Sequence, residues 1–372
     1  MLQIDKRLLK NFDIYLTSIV AIILLYGWFA VYSASYDPTE SRFNSFYIKQ
    51  LYWLIIGSSF YIFFSFFNYK HLIKWSVILY LMGILMLILV LAIGHIGMGA
   101  QRWINIGGFK FQPSEFFKVI FILIMPKIYN DFEPVPLGLV DVVKKFFLVI
   151  PPFLLVFLQP DLGTAMVFLA VWGMLLLFRG IRIRTLLIFV VLGIFIAPVV
   201  WSKLHDYQKD RILTFISPER DPYGAGYHLI QSKIAVGSGG LLGKGFMKGT
   251  QSHLKFLPER HTDFIFSLIN EEFGLMGGLF MVVLFGALIF RICYIAMKTK
   301  ELSGKIVALA VASIVFFQFF VNSGMTLGLL PVVGIPMPLV SYGGSALVTF
   351  MTLLGIVNSI SIRKFDSPGD NR

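Results

Sequence analysis

Charge is scarce in this 372-residue chain: 14% of residues are Asp, Glu, Lys or Arg, against 57% hydrophobic, where soluble domains carry roughly 25% charged residues. That shortage excludes a water-soluble globular fold for most of the chain and makes lipid its solvent. Cysteine is nearly absent too. Cys293 stands alone, which excludes an intrachain disulfide, and no Cys/His spacing matches a zinc site. Four of the histidines, His205, His228, His253 and His261, fall in one stretch, yet their spacing fits no helical metal pair. No Pro/Ser-rich linker or low-complexity segment divides the chain, so residues 1–372 read as a single domain. The net charge of +12 does not imply nucleic acid, because the basic residues sit mainly in short loops between apolar runs.

Apolar runs are abundant. Stretches long enough to cross about 30 Å of hydrocarbon recur at 13–34, 49–67, 74–94, 114–130, 143–160, 162–179, 184–202, 263–290, 304–328 and 340–361. The fold class is therefore an all-α integral membrane protein of about ten transmembrane helices. The first run, Ile14 to Val31, exceeds the roughly 7 to 15 apolar residues of a secretory signal and reads as an uncleaved helix. Alternate loops differ in charge. One set holds Lys6, Arg7, Lys10, Lys70, Lys74, Lys127, Lys144, Lys145, Arg179, Arg182, Arg184, Arg291, Lys298, Lys300, Lys305, Arg363, Lys364 and Arg372, and the facing short loops only Arg42, Lys49, Arg102 and Lys110. By the positive-inside rule both termini are cytoplasmic, and the long 203–262 loop lies outside. Its basic excess suits an anionic lipid headgroup or is ordinary solvated loop charge.

The glycine-rich stretch Gly237 to Gly245 imitates a phosphate loop but has Ser238 and Gly245 where that motif needs Gly and Ser or Thr; it reads as a flexible turn. Ionisable residues at membrane depth are more informative, because each costs about 2.5 to 3.5 kcal/mol at a helix centre. Glu115 and Lys118 are three apart after Pro113 and share a helix face, as a structural ion pair or as part of a site. Asp161, in Gln159-Pro160-Asp161-Leu162-Gly163-Thr164, either caps the next helix or faces a cavity. Glu271 and Glu272 are adjacent and point to different faces, so at least one should pair with a neighbouring helix. Asp263 sits where the long loop re-enters the membrane, at a helix start that favours a carboxylate; capping is the plain alternative to catalysis there.

The stretch Pro258-Glu259-Arg260-His261-Thr262-Asp263-Phe264-Ile265 resembles the core motif of the SEDS family of peptidoglycan glycosyltransferases, and Arg260 resembles its RodA branch. Near the C-terminus, Asn322, Gly328, Pro331, Gly334, Pro336, Pro338 and Ser341-Tyr342-Gly343-Gly344-Ser345-Ala346 are similar to the family signature in order and spacing. Gln101 to Ile104, Gln112 to Lys118 and Gln159 to Thr164 look like further family blocks.

The resemblance implies polymerisation of lipid II, an undecaprenyl-diphosphate-linked disaccharide-pentapeptide, into β-1,4 glycan strands for elongation and rod shape, at the outer face of the bacterial cytoplasmic (inner) membrane. It makes Asp263 the essential aspartate. An α-glycosyl diphosphate giving a β link calls for one inverting displacement, with Asp263 as base. Glu115, Lys118, Asp161, Arg260, His261 and Ser341 are then candidate substrate-binding residues, the first three in a polar cavity beneath the long loop. No cofactor is assigned; a divalent cation such as Mg2+ or Mn2+ is the candidate. The implied partner is a class B penicillin-binding protein, a single-span transpeptidase docking on helices eight and nine. Two alternatives stay open, a flippase for lipid-linked precursor and a non-catalytic scaffold for the transpeptidase.

Overall fold

The computed structural model describes residues 11–37, 42–97, 100–106, 109–129, 136–204, 206–221, 224–254, 256–257 and 259–365; Pro258, His205 and the terminal Arg372 lie outside them. The fold is an all-α bundle, with short hairpins at one end. Helix α1 (Ile14–Ser35) is started by Asp13, whose side chain accepts from Leu16 N, and is followed by the hairpin β1 (Tyr36–Asp37) and β2 (Arg42–Phe43). Helices α2 (Phe46–Phe66) and α3 (Tyr69–Ile93) come next. The strands β3 (His95–Gly97), β4 (Ala100–Ile106) and β5 (Phe109–Phe111) then form an antiparallel meander that leads into α4 (Pro113–Ile128).

Among the described residues, seven helices are long and apolar enough to cross a membrane. Besides α1 and α3 they are α7 (Leu162–Arg179), α8 (Ile183–Lys203), α12 (Ile265–Lys298), α13 (Leu302–Thr326) and α14 (Gly344–Ile362). The other three expected spans take other forms. Helix α2 has 21 residues but carries Lys49, Gln50, Ser58 and Ser59, and α4 has only 16. The continuous 143–160 span is replaced by two short helices, α5 (Leu139–Phe146) and α6 (Ile150–Leu158). Pro151 and Pro152 lack the N–H groups that would bond back to residues 147 and 148, so the helix breaks one turn earlier.

The 203–262 segment folds into α9 (Asp206–Ile216), a short 3-10 turn at Pro218–Arg220, α10 (Ala225–Ser238) and α11 (Thr250–His253). Helix α14 lies at the centre, with 89% of its apolar window buried, while α8 has 6% and presents apolar side chains all round, as a lipid-facing helix does. Small residues let α14 touch α2: a Cβ on Gly355 would stand 2.6 Å from Tyr61 O, and one on Gly344 2.1 Å from Trp53 Cε2. Gly344 and Gly355 thus allow the close helix approach that small residues permit in membranes.

Helix α12 is 34 residues long and leaves helical geometry at Gly274 (φ 65°, ψ −163°). The glycine-rich segment fills this break. Leu275 N donates to Gly240 O at 2.9 Å and Met276 N to Leu241 O at 3.2 Å, while Lys244 N and Gly245 N donate to Glu271 O and Glu272 O at 3.0 and 2.9 Å. Backbone groups freed at membrane depth must find partners, and these four bonds supply them. The flexible turn read from the sequence is therefore corrected to a fitted clasp. Only glycine fits it: a Cβ on Gly239 would lie 1.9 Å from Asn270 O, and one on Gly243 2.1 Å from Glu272 O.

Candidate active site

Asp263 lies in the turn just before α12, which starts only at Ile265. Helix α12 has no side-chain cap bond, so capping does not account for this aspartate. The turn is held from behind. Asn322 on α13 donates through Nδ2 to Asp263 O (3.0 Å) and Ile335 O (2.8 Å). The Ser341 hydroxyl donates to Thr262 O (2.6 Å) and accepts from Met337 N (2.8 Å). These bonds fasten the 331–341 stretch to the turn, and at Gly334 (φ +71°) a Cβ would sit 3.4 Å from Asp263 Oδ2 and 3.7 Å from Arg211 Nη1.

The Asp263 carboxylate itself accepts no hydrogen bond among the described residues. Burial pushes its carboxyl up to about 6, with Glu259 and Asp161 adding to the rise and Arg211 and Arg102 opposing it. Two cations and two further carboxylates thus act on one half-buried acid. Its free lone pairs and a pKa near neutrality are what a general base needs.

Asp161 caps α7, accepting from Thr164 N at 3.1 Å, and it does more than cap. Gln112 Nε2 donates to its Oδ2 at 3.4 Å, and Arg102 Nη1 lies 3.9 Å away. Arg102 in turn donates to Gln159 O at 3.2 Å and to Pro160 O, fixing the β4 strand to the α6–α7 junction. Gln112 immediately precedes α4, which begins with Pro113 at its first turn, where a missing N–H is harmless. One turn in, Lys118 Nζ and Glu115 Oε1 form a buried pair at 2.5 Å, and Lys118 stands 6.0 Å from the Phe350 ring centroid on α14. The carboxylate also favours the positive end of the α4 dipole.

The structure separates the other candidates. Arg260 is buried, and each of its three nitrogens donates to a backbone carbonyl: Nε to Ala34 (2.9 Å), Nη2 to Tyr36 (3.0 Å) and Nη1 to Ser252. Arg260 thus clamps the end of α1 to the loop through three of its five N–H donors. Ser341 donates its proton to Thr262 O and braces the turn from behind. His261 stacks on Phe46 (centroids 4.2 Å apart, 21° between planes). It borders a cavity of about 270 Å³ that Leu257, Glu259 and Arg260 also line and that Glu115, Lys118 and Asp161 do not reach.

Glu271 is not a site residue. Its oxygens accept from Lys244 Nζ (2.8 Å), Gln251 N (2.8 Å), Ser252 N (3.0 Å) and Ser252 Oγ (2.6 Å), holding the loop to α12. Glu272 takes the Ser33 hydroxyl of α1, the cross-helix pairing expected of one of the two. Among the described residues, no three His, Cys, Asp or Glu side chains converge as metal ligands. Sequence reasoning missed Arg211 and Glu259 as neighbours of Asp263; the loop's basic character was the only signal for the first.

The chain is similar to several known proteins. A sequence profile described as a cell cycle protein family, FtsW, RodA and SpoVE, matches residues 14–365. Peptidoglycan glycosyltransferase MrdB of Escherichia coli K12 is 47% identical over 77% of both chains, and a probable peptidoglycan glycosyltransferase FtsW of Bacillus subtilis 34% identical over 96% of this chain and 92% of its own. The crystal structure of Thermus thermophilus rod shape determining protein RodA superposes with a TM-score of 0.71 at 28% identity, covering 96% of this chain and 98% of the other. A chain from a structure describing coordination of polymerization and crosslinking by a peptidoglycan synthase complex gives 0.81 at 32% identity, covering 96% and 99%.

Proposed function

This chain belongs to the FtsW, RodA and SpoVE family of multi-pass membrane proteins, and from that membership we propose that it is a peptidoglycan glycosyltransferase of the elongation type, polymerising lipid II. The observation that carries the chemistry is Asp263, a half-buried carboxylate with an upward-shifted pKa and two arginines within electrostatic reach.

Asp263 takes the proton from the 4-hydroxyl of the acceptor GlcNAc as that oxygen attacks the anomeric carbon of the donor sugar. The bond to the diphosphate breaks on the opposite face, the pair of electrons leaves with the lipid diphosphate, and the link inverts from α to β. Arg211 and Arg102 are the cations placed to steady the leaving group, in the way oriented cations stabilise developing phosphate charge. Arg102 is held rigid by two carbonyls, so it needs no reorganisation. Glu115, Lys118 and Asp161 support the site from α4 and α7.

The site faces the extracytoplasmic side of the inner membrane in this reading, as the loop charges suggest. A class B penicillin-binding protein would be the partner, its single span lying on the lipid-facing apolar residues of α12 and α13, such as Leu279 and Phe316. Fluorescent lipid II incubated with purified protein, with and without that partner, tests the reading. Polymer from wild type and none from folded Asp263→Asn supports it; no polymer under either condition favours lipid transport or a scaffold.

A further inference from the structure

The turn that carries Asp263 also lines the 270 Å³ cavity with the residues just before it. The opposite wall comes from the start of α2 and the hairpin preceding it, through Asn44 and Phe46. None of this second wall belongs to the chemistry described above, and its side chains are poised for a ligand. The Asn44 amide makes no hydrogen bond among the described residues. Glu259 holds a positive φ of 50°, a conformation that costs a non-glycine residue of order 1 kcal/mol and that clusters at ligand clamps. Its side chain is 41% exposed; one oxygen accepts from Thr262 Oγ1 at 3.0 Å. Phe46 and His261 line the cavity with stacked rings 4.2 Å apart, and Tyr342 packs on both, with centroids 5.2 and 5.7 Å away.

The charge of the cavity selects its ligand. Arg260 is the one cation in the lining and Glu259 the one anion, so the cavity is neutral overall, whereas a diphosphate calls for an excess of cations. Burial lowers the His261 pKa from its ordinary value, which Glu259 opposes and Arg260 reinforces, so the imidazole is largely neutral at pH 7. Glu259 repels anions. What remains is a carboxylate acceptor, a neutral amide with both donor and acceptor atoms and an apolar ring face. That combination recognises a neutral polyhydroxyl ring: hydroxyls reach the polar atoms and the C–H face lies on the aromatics. The volume is just under the roughly 300 Å³ at which small-molecule sites begin, room for one sugar residue.

We propose that Asn44, Phe46 and Glu259 form a saccharide subsite that holds the sugar next to the one reacting at Asp263, so that the glycan strand is gripped between successive transfers. This rests on the glycosyltransferase reading, since it is that reaction which places a second sugar beside the first.

The test uses a lipid-free, peptide-free tetrasaccharide of alternating GlcNAc and MurNAc, titrated by calorimetry into the full-length protein in detergent, beside the free stem pentapeptide. The tetrasaccharide binds wild type and Asp263→Asn alike, and Asn44→Ala and Glu259→Gln each weaken it by roughly five- to tenfold, the loss of one hydrogen bond. Asn44→Ala keeps the wild-type melting temperature, which separates binding from folding. Undiminished binding in both variants, or binding of the pentapeptide but not of the saccharide, overturns the subsite. Polymerisation of lipid II by the same wild-type preparation is read in parallel. If polymer forms and no tetrasaccharide binds, the subsite alone fails; if no polymer forms even with the class B partner added, the function itself does.

Discussion

Asp263 and Arg260 are three residues apart and answer to different physics. The Asp263 carboxyl, raised to about 6, is disfavoured as an anion in the folded state relative to an unfolded pKa near 3.9. Its charge therefore opposes folding at pH 7, and that cost declines as pH falls below 6 and is gone only near the unfolded pKa of about 4. Replacing it by Asn should abolish polymerisation, a loss of at least about 10² from the base alone, while raising stability by on the order of 1 kcal/mol after solvent screening; polymer assays and melting in detergent read the two together. The wild-type rate should fall as pH drops below about 6, because the base becomes protonated, and a rate flat from pH 5 to 7 would remove Asp263 from that role. Arg260→Ala should act in the opposite sense. It strands three buried carbonyls, each worth about 1 kcal/mol or more, so the melting temperature should drop sharply and lost activity should follow lost folding.

Helix α12 shows what an element can hide. Its apolar pattern runs unbroken through Gly274, yet a loop of glycines more than thirty residues upstream enters the helix and completes its hydrogen bonds. Glu271 locks the same loop with four close donors. Gly243→Ala, with a positive φ of 80° and Glu272 O in the way, should lower stability by roughly 2 kcal/mol or more. By contrast, Leu242→Ala at the exposed tip, 81% accessible, should change it little. Limited proteolysis in the 239–254 stretch is the sensitive measurement: the glycine variant should be cut and the leucine variant should resist.

For the whole molecule, the far end of the bundle is tied by a polar knot. Arg291 of α12 donates to both oxygens of Asp13 at 2.8 to 3.2 Å, Ser361 of α14 donates to the same carboxylate at 3.2 Å, and Asn358 accepts from Asp13 N at 3.0 Å. Three helices meet there, opposite the end that carries Asp263. Asp13→Asn leaves a partly buried arginine without its bidentate partner, a loss of about 3 kcal/mol by analogy with broken buried pairs. The expected outcome is a lower melting temperature, with the pH dependence of polymerisation unchanged because the site is at the other end.

The sequence by itself determined the solvent, the all-α class and the blocks that carry the chemistry, because hydrophobic run length and the cost of charge in lipid act locally and leave a linear record. Asp263, Asp161 and the Glu115–Lys118 pair stood out on that ground. The paired prolines 151 and 152 were legible too, yet the apolar run between Lys145 and Gln159 outweighed them and concealed the break between α5 and α6. Only the tertiary structure decided that Arg260 and Ser341 serve the backbone, that Arg211 and Glu259 reach Asp263, and that the glycine stretch clasps α12. Those outcomes depend on which carbonyl or amide another segment brings within about 3 Å, and spacing along one chain holds no record of a partner two hundred residues away.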